Sequence, residues 1–207
     1  MLLMAGSQGV LRALAVALYG SLAGAIYLPG FAPKEYAKEE LVDLKVNKLL
    51  SVKTQLPYSY YYLAYCRPHK GIKDSIENLG ETLMGDMIQN SPYEIKMLVN
   101  ENCKKLCTVP LTGEDKDKFK SMIEDDYQVN WIVDNLPAAT REWGDGFRVG
   151  TFDQGKHYLH NHVSLELSYH QDPAKYEGYR IVGVHVQPNS VKHSPDLGSG
   201  GCDIKAL

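Results

Sequence analysis

Residues 158–169 read YLHNHVSLELSY, twelve positions without a glycine or proline. Leu159, Val163, Leu165, Leu167 and Tyr169 fall on odd positions, and His160, His162, Glu166 and Ser168 on even ones. That period of two predicts one long strand, Tyr158–Tyr169, with an apolar face and a polar face. The next apolar stretch, Tyr179–Val186, repeats the pattern, with Val182, Val184 and Val186 predicted to point inward. Upstream, Leu41–Leu50 alternates Val42, Leu44 and Val46 with charged neighbours, and Tyr93, Ile95, Met97 and Val99 form a similar series. Leu106–Leu111 reads as the partner of that last strand. Tyr127–Val133 and Phe147–Phe152 add two more, with Asp134-Asn135-Leu136-Pro137 as a turn between them.

One segment breaks the pattern. Glu114–Tyr127 places Phe119, Met122, Ile123 and Tyr127 on one helical stripe, and Thr112 with Asp115 three residues on is an N-cap signal. The predicted fold is therefore mostly β, an antiparallel β-sandwich with one amphipathic helix inserted, α+β in detail. Fourteen tyrosines against four phenylalanines agree with strands that keep one wet face. The aromatic segment Tyr58–Tyr65 reads as an extended run whose alternate rings are expected to line the core, with a partner surface as the other reading. Asn78–Asp86 reads as a short helical turn or loop.

The chain has 207 residues, 44% hydrophobic and 23% charged, which excludes a disordered or collagen-like protein. With 22 basic and 25 acidic residues and no basic stripe, nucleic acid is not an expected partner. Arg12 is the sole charge before Lys34, and the apolar run Ala13–Ala25 closes on Ala23-Gly24-Ala25. Residues 1–25 are thus predicted to be a signal peptide, with a retained membrane anchor as the alternative. No later window is apolar over the ~20 residues that a membrane helix needs.

In a secretory lumen the four cysteines, Cys66, Cys103, Cys107 and Cys202, are candidates for disulfides. Three pairings are open, and a zinc site at Cys103 and Cys107 is the competing reading. No Asn-x-Ser/Thr sequon occurs. The candidate chemistry lies in a histidine group: His157, His160, His162, His170, His185 and His193. His160 and His162, two apart on the predicted strand, with Glu166 on the same face and His193 further on, match the ligand logic of cupin-type metal barrels. The polar face of a half-wet strand accounts for the same residues. Nucleophile-elbow, phosphate-loop and dinucleotide motifs are absent, and Glu124-Asp125-Asp126 reads as a solvated helix face rather than a calcium loop.

A series of short strings, taken in order, is more informative than any one of them. Tyr27-Leu28-Pro29-Gly30, Val46-Asn47-Lys48-Leu49, Gln55-Leu56-Pro57-Tyr58, Cys66-Arg67-Pro68, Asn78-Leu79-Gly80-Glu81 and Gly85-Asp86 come first. Ser91-Pro92-Tyr93, Cys103-x2-Leu106-Cys107, the block Asn130–Pro137, Asn161-His162, Tyr169-His170, Tyr179–Gly183 and Lys192-His193 follow. Together they resemble the N-terminal lumenal domain of the transmembrane-9 superfamily, the nonaspanins, over roughly residues 26–195.

The resemblance implies entry into the secretory pathway, a lumenal β-rich domain and, in the family, nine membrane spans after it. It implies residence in Golgi and endosomal membranes and a part in sorting and localising other membrane proteins. It implies no enzymatic activity, cofactor or small-molecule substrate. His162, His170 and His193 sit at pattern positions of the family. Leu207 precedes any such span, so membrane association and cargo binding through spans are expected from parts beyond it. Residues 196–207 read as a loose tail or truncated end. Two alternatives accompany this reading: a secreted cupin-like metal-binding β-barrel enzyme, and a secreted decoy from a shortened transcript. The Tyr58–Tyr65 and Asn130–Pro137 segments are the expected places for contacts with other proteins.

Overall fold

A computed structural model describes residues 34–75, 83, 85–142 and 144–191, within a unit that begins at Lys34. The predicted signal peptide, the 196–207 tail and most of Asn78–Asp86 lie outside the described residues.

Alternation builds the first sheet as expected. Strand β1 (Leu41–Val46) buries Val42, Leu44 and Val46 and exposes Leu41 and Asp43. It lies between β2 (Gln89–Lys96) and β4 (Trp131–Val133), and β5 (Leu136–Pro137) completes a four-stranded antiparallel sheet. The β4–β5 hairpin turns on Asp134 (φ 50°) and Asn135 (φ 60°). Two successive positive φ values match the twist of the flanking strands, and Asp and Asn are the side chains that tolerate them.

The second sheet runs β11 (His162–His170), β12 (Arg180–Asn189), β6 (Ala139–Thr140), β7 (Gly144–Asp145). Its pairs are antiparallel except for one parallel bridge, His185 to Ala139. Two short ribbons, β3 (Gln128–Val129) with β8 (Phe147–Arg148) and β9 (Gly150–Asp153) with β10 (Lys156–Leu159), connect the layers. The apolar faces of both sheets converge on one core: Val42, Leu44, Val46, Trp131 and Val133 from the first, Ile181, Val184 and Val186 from the second.

Helix α1 (Gly113–Glu124) adds Phe119, Met122 and Ile123 to that core. Its start is a capping box: the Asp115 N–H donates to Thr112 Oγ1 at 3.2 Å, and the Thr112 N–H donates to Asp115 Oδ2 at 3.0 Å. Its end is a Schellman turn. The Tyr127 N–H reaches the Met122 carbonyl at 2.9 Å and the Asp126 N–H the Ile123 carbonyl at 3.2 Å, with Asp126 left-handed at φ 53°. Tyr127 is buried with the stripe, as the sequence predicts, but lies just beyond the end of the helix.

Four expectations need correction. The strand Tyr158–Tyr169 is two strands in different sheets, broken at His160–Asn161. The Asn161 side-chain amide donates to the Val191 carbonyl and accepts from the Val191 N–H, both at 2.9 Å, and this pairing turns the chain away from β10. Val182 is 60% exposed, not inward. Ser168 pairs with Gly183 and Tyr169 with Ile181, so Val182 is the extra residue of a bulge and Ile181 takes the buried face.

Leu106–Leu111 is not a strand, and β2 pairs with β1 instead. A disulfide holds Cys107 to Cys66, and Pro110 has no N–H for a ladder. Finally, Tyr58–Tyr65 contains a 3₁₀ turn at Tyr60–Tyr62 rather than an extended run, although it does reach the core.

Candidate functional site

Among the described residues, His160, His162 and Glu166 are not brought together in a metal-ligating group. His160 lies in the break between two strands. Its Nδ1 donates to the Arg148 carbonyl at 2.8 Å, and its Nε2 accepts from Thr151 Oγ1 at 3.1 Å. A carbonyl only accepts, so Nδ1 carries a proton. Burial holds its pKa below the ordinary histidine value, helped by the Arg148 charge and opposed by the bond to the Arg148 carbonyl.

His162 stands on β11 opposite Asn189, with its own contacts. Glu166 is exposed, opposite His185 and 3.8 Å from the Arg141 guanidinium. His193 lies outside the described residues. No group of three or more His, Cys, Asp or Glu side chains suited to a metal occurs among the described residues. The other histidines serve elsewhere: His157 bonds Glu124 at 2.8 Å and packs on Phe152, and His170 bonds the Tyr176 hydroxyl.

The cysteines support structure. Cys66 and Cys107 form a disulfide across 41 residues with Cα atoms 5.9 Å apart. Cys103 is disulfide-bonded as well, which replaces the zinc reading, and Cys202 lies outside the described residues. The bridge anchors the tyrosine segment beside it. Tyr60 stacks on Tyr65 at 4.5 Å, Tyr65 meets Phe119 of α1 edge-on at 5.6 Å, and Tyr93 packs on Trp131 at 4.6 Å. Burial raises the pKa of Tyr60, Tyr65 and Tyr93 and pushes Tyr61 up to about 12, so these hydroxyls stay neutral. They belong to the core. In the Asn130–Pro137 block Trp131 and Val133 are buried, while Asn135 and Pro137 at the hairpin stay exposed.

Two rings of the segment, half-buried Tyr58 and exposed Tyr62, line a cleft of about 710 Å³. One wall is the loop between Leu49 and Tyr58, whose backbones bond each other at 2.7 and 3.1 Å and so close the loop's ends. Ser51 ties its base to the Asp125 carbonyl of the helix end, and Gln55 turns it at φ 58°. The loop carries two apolar side chains into solvent, Val52 at 86% and Leu56 at 58% exposure. The opposite wall is the α1 stripe Glu114, Asp117, Lys118, Ser121 and Asp125, spaced by three or four residues along one face.

Tyr127 closes the floor. Its hydroxyl donates to the Leu56 carbonyl at 3.0 Å and accepts from Thr54 at 2.6 Å. Tyr58 and Tyr62 lie 4.6 Å apart, and the Lys118 ammonium sits 5.3 Å over the Tyr62 ring. The cleft thus combines aromatic and apolar surface with a charged rim, in which Lys118 pairs with Glu114 at 2.7 Å and Lys120 with Asp117 at 3.7 Å. The sequence signal for it was present in two places: apolar Val52 and Leu56 in the stretch before Tyr58, and the polar face of the helix opposite Phe119, Met122 and Ile123.

The chain is similar to known proteins over most of its length. Residues 57–206 match the family model described as Endomembrane protein 70. Transmembrane 9 superfamily member 8 of Arabidopsis thaliana is 43% identical over 204 residues, 90% of this chain and 31% of the relative. Member 10 of the same plant is 44% identical, covering 81% of this chain and 28% of its own length. Human Transmembrane 9 superfamily member 4 is 38% identical over 194 residues, 81% of this chain and 30% of the relative. The chain spans less than a third of the length of these relatives. No solved structure matches. No helix of the described residues is long and apolar enough to cross a membrane. With the ordered motifs, the disulfide-bonded β fold and a family match from residue 57 to residue 206, this chain belongs to the transmembrane 9, or endomembrane protein 70, superfamily.

Proposed function

We propose that this chain forms the lumenal domain of a nonaspanin that sorts and localises other membrane proteins in Golgi and endosomal membranes. Its part is to bind, with no chemistry of its own. The observation that carries this reading is the family match over residues 57–206 with relatives named as transmembrane proteins. The Cys66–Cys107 disulfide supports the lumenal side, because such bonds persist in oxidising compartments and not in cytosol. Cargo membrane proteins are the proposed partners, engaged by this domain together with membrane-spanning parts like those of the longer relatives.

Two measurements test the proposal. In sealed vesicles from cells producing the protein, the domain should resist added protease until detergent opens the membrane. Deleting its gene should remove a defined set of membrane proteins from the surface-biotinylated fraction. Digestion without detergent refutes the lumenal placement, and an unchanged surface proteome refutes the sorting role.

A further inference from the structure

The second sheet ends at β11, and the core ends with it. In the sheet order β11 has β12 on one side, and among the described residues no strand pairs with its other side. None of its nine residues is buried, whereas Ile181, Val184 and Val186 of the adjoining β12 are. Val163, Leu165 and Leu167 pack against the core and yet stay half-buried. These apolar side chains are covered from the β12 side and open at the rim.

Edge strands that must stay single are commonly blunted by a lysine, a proline or a bulge. The β11 sequence, HVSLELSYH, contains neither lysine nor proline. The bulge beside Ser168 and Tyr169 places its extra residue, Val182, on β12, so β11 runs unbroken from His162 to His170. Its single carboxylate, Glu166, is exposed and lies 3.8 Å from the Arg141 guanidinium of the same chain.

The order of side chains selects the occupant. HVSLELSYH reads almost identically in both directions about Glu166. An antiparallel strand of the same sequence, centred there, sets Leu165 of one copy opposite Leu167 of the other, and Ser164 opposite Ser168. Val163 meets Tyr169, and His162 meets His170. Apolar side chains face apolar ones and hydroxyls face hydroxyls, the pairings that stabilise neighbouring strands. Glu166 faces its own copy, and because each carboxylate brings its Arg141, two cations balance two anions at the centre.

We infer that the outer edge of β11 is a self-association edge, on which a second copy of this chain lays its own β11 antiparallel about a two-fold axis at Glu166. The contact is isologous, and it joins two four-stranded sheets into one continuous sheet. Leu165 and Leu167 of the two copies cover one another and close the core at its open rim. This goes beyond the sorting role and depends on neither its location nor its cargo.

The test is cysteine cross-linking on the full chain, read by mass spectrometry of the linked peptides, with sedimentation velocity beside it. Opposed residues of an antiparallel pair lie within the span of a disulfide. Glu166→Cys should therefore link to its own copy under mild oxidation. Ser164→Cys alone should not, while a mixture of Ser164→Cys and Ser168→Cys chains should link one to the other. The unsubstituted chain should sediment as a monomer–dimer equilibrium. Glu166→Lys, at an exposed position where folding is not at stake, gathers four cations at the axis and should weaken the dimer roughly fivefold or more. Adding Arg141→Glu to that variant restores the balance and should restore the dimer. A chain that stays monomeric, linkage of Ser164→Cys as readily as Glu166→Cys, or indifference to Glu166→Lys overturns the proposal. A monomeric chain whose β11 amides resist hydrogen exchange on both edges would show that the protein's own chain covers the strand, which also overturns it. None of these outcomes bears on the protease-protection or surface-proteome results, so the two readings fail separately.

Discussion

Replacing Gly150 with alanine probes the contact on which the helix–sheet packing rests. Gly150 pairs with Leu159 across the β9–β10 ribbon, directly beneath α1. A Cβ added there would lie 2.3 Å from the Tyr158 carbonyl oxygen and 2.7 Å from Ile123 Cδ1. Ile123 is a side chain and has some room to turn. The carbonyl is backbone, and the adjoining His160–Val149 hydrogen bond of 3.0 Å fixes the same stretch. Relief therefore needs a displacement of β10 by about 1 Å, which places the cost at the upper end of overpacking penalties, about 3 kcal/mol. For a domain of this size that is a fall in Tm of roughly 6–12 °C.

The assay is thermal and guanidinium unfolding followed by circular dichroism, with Ile123→Ala and the double variant to close a cycle. Ile123→Ala alone should cost about 2–5 kcal/mol through its cavity. In that background Gly150→Ala should keep more than half of its penalty, because the carbonyl remains. A Gly150→Ala protein within about 0.5 kcal/mol of the parent would refute the close approach of the Tyr158 carbonyl and Ile123 to Gly150. Full rescue by Ile123→Ala would show that the side chain, not the carbonyl, is the obstacle.

Three further outcomes are expected. Replacing Cys66 and Cys107 together by serine releases a closed loop of 41 residues, worth about 4 kcal/mol by chain entropy. Denaturant unfolding under oxidising conditions would count against this with a loss under about 1 kcal/mol. Thr112→Ala removes the cap hydrogen bond of α1 and should destabilise by about 1 kcal/mol, while Thr112→Ser should be close to neutral, read from the same curves. His160, with its folded-state pKa held down by burial, contributes stability that is complete above the ordinary histidine value of about 6.5. That contribution is lost as pH falls through the lowered value, so Tm should decline on acidification below neutrality, and His160→Asn should flatten the slope. The lowered carboxyl pKa values of Glu40 and Asp115 act only at more acid pH. An unchanged slope in the variant would remove His160 from the account.

Local chemistry was legible along the chain wherever neighbours in sequence settle the outcome. The alternation of Val42, Leu44 and Val46, the Thr112–Asp115 cap, the Phe119-Met122-Ile123 stripe and the Asp134-Asn135 turn all appear as read. The ordered motifs identified the family, because a series of short strings in one order survives where no single string is specific. Long-range partnership was not legible. Nothing in YLHNHVSLELSY announces that Asn161 will bond Val191 and divide one strand into two, so the His160–His162–Glu166 face was an artefact of an unbroken period of two. The Val182 bulge shifted a burial pattern by one residue for the same reason.

The sequence by itself determined the class of the fold, the helix and its cap, the family, and cysteines suited to disulfides. Each follows from composition, from residues within a turn of one another, or from an ordered series of motifs. Only the tertiary structure decided which cysteines meet, that a carbonyl and a hydroxyl hold His160, and that Tyr58 and Tyr62 line a cleft. It also brought a loop at residues 50–57 against a helix at 113–124 to form a groove. Pairing of that kind is set by the closure of distant segments over one core, and a local periodicity carries no information about which distant segment will arrive.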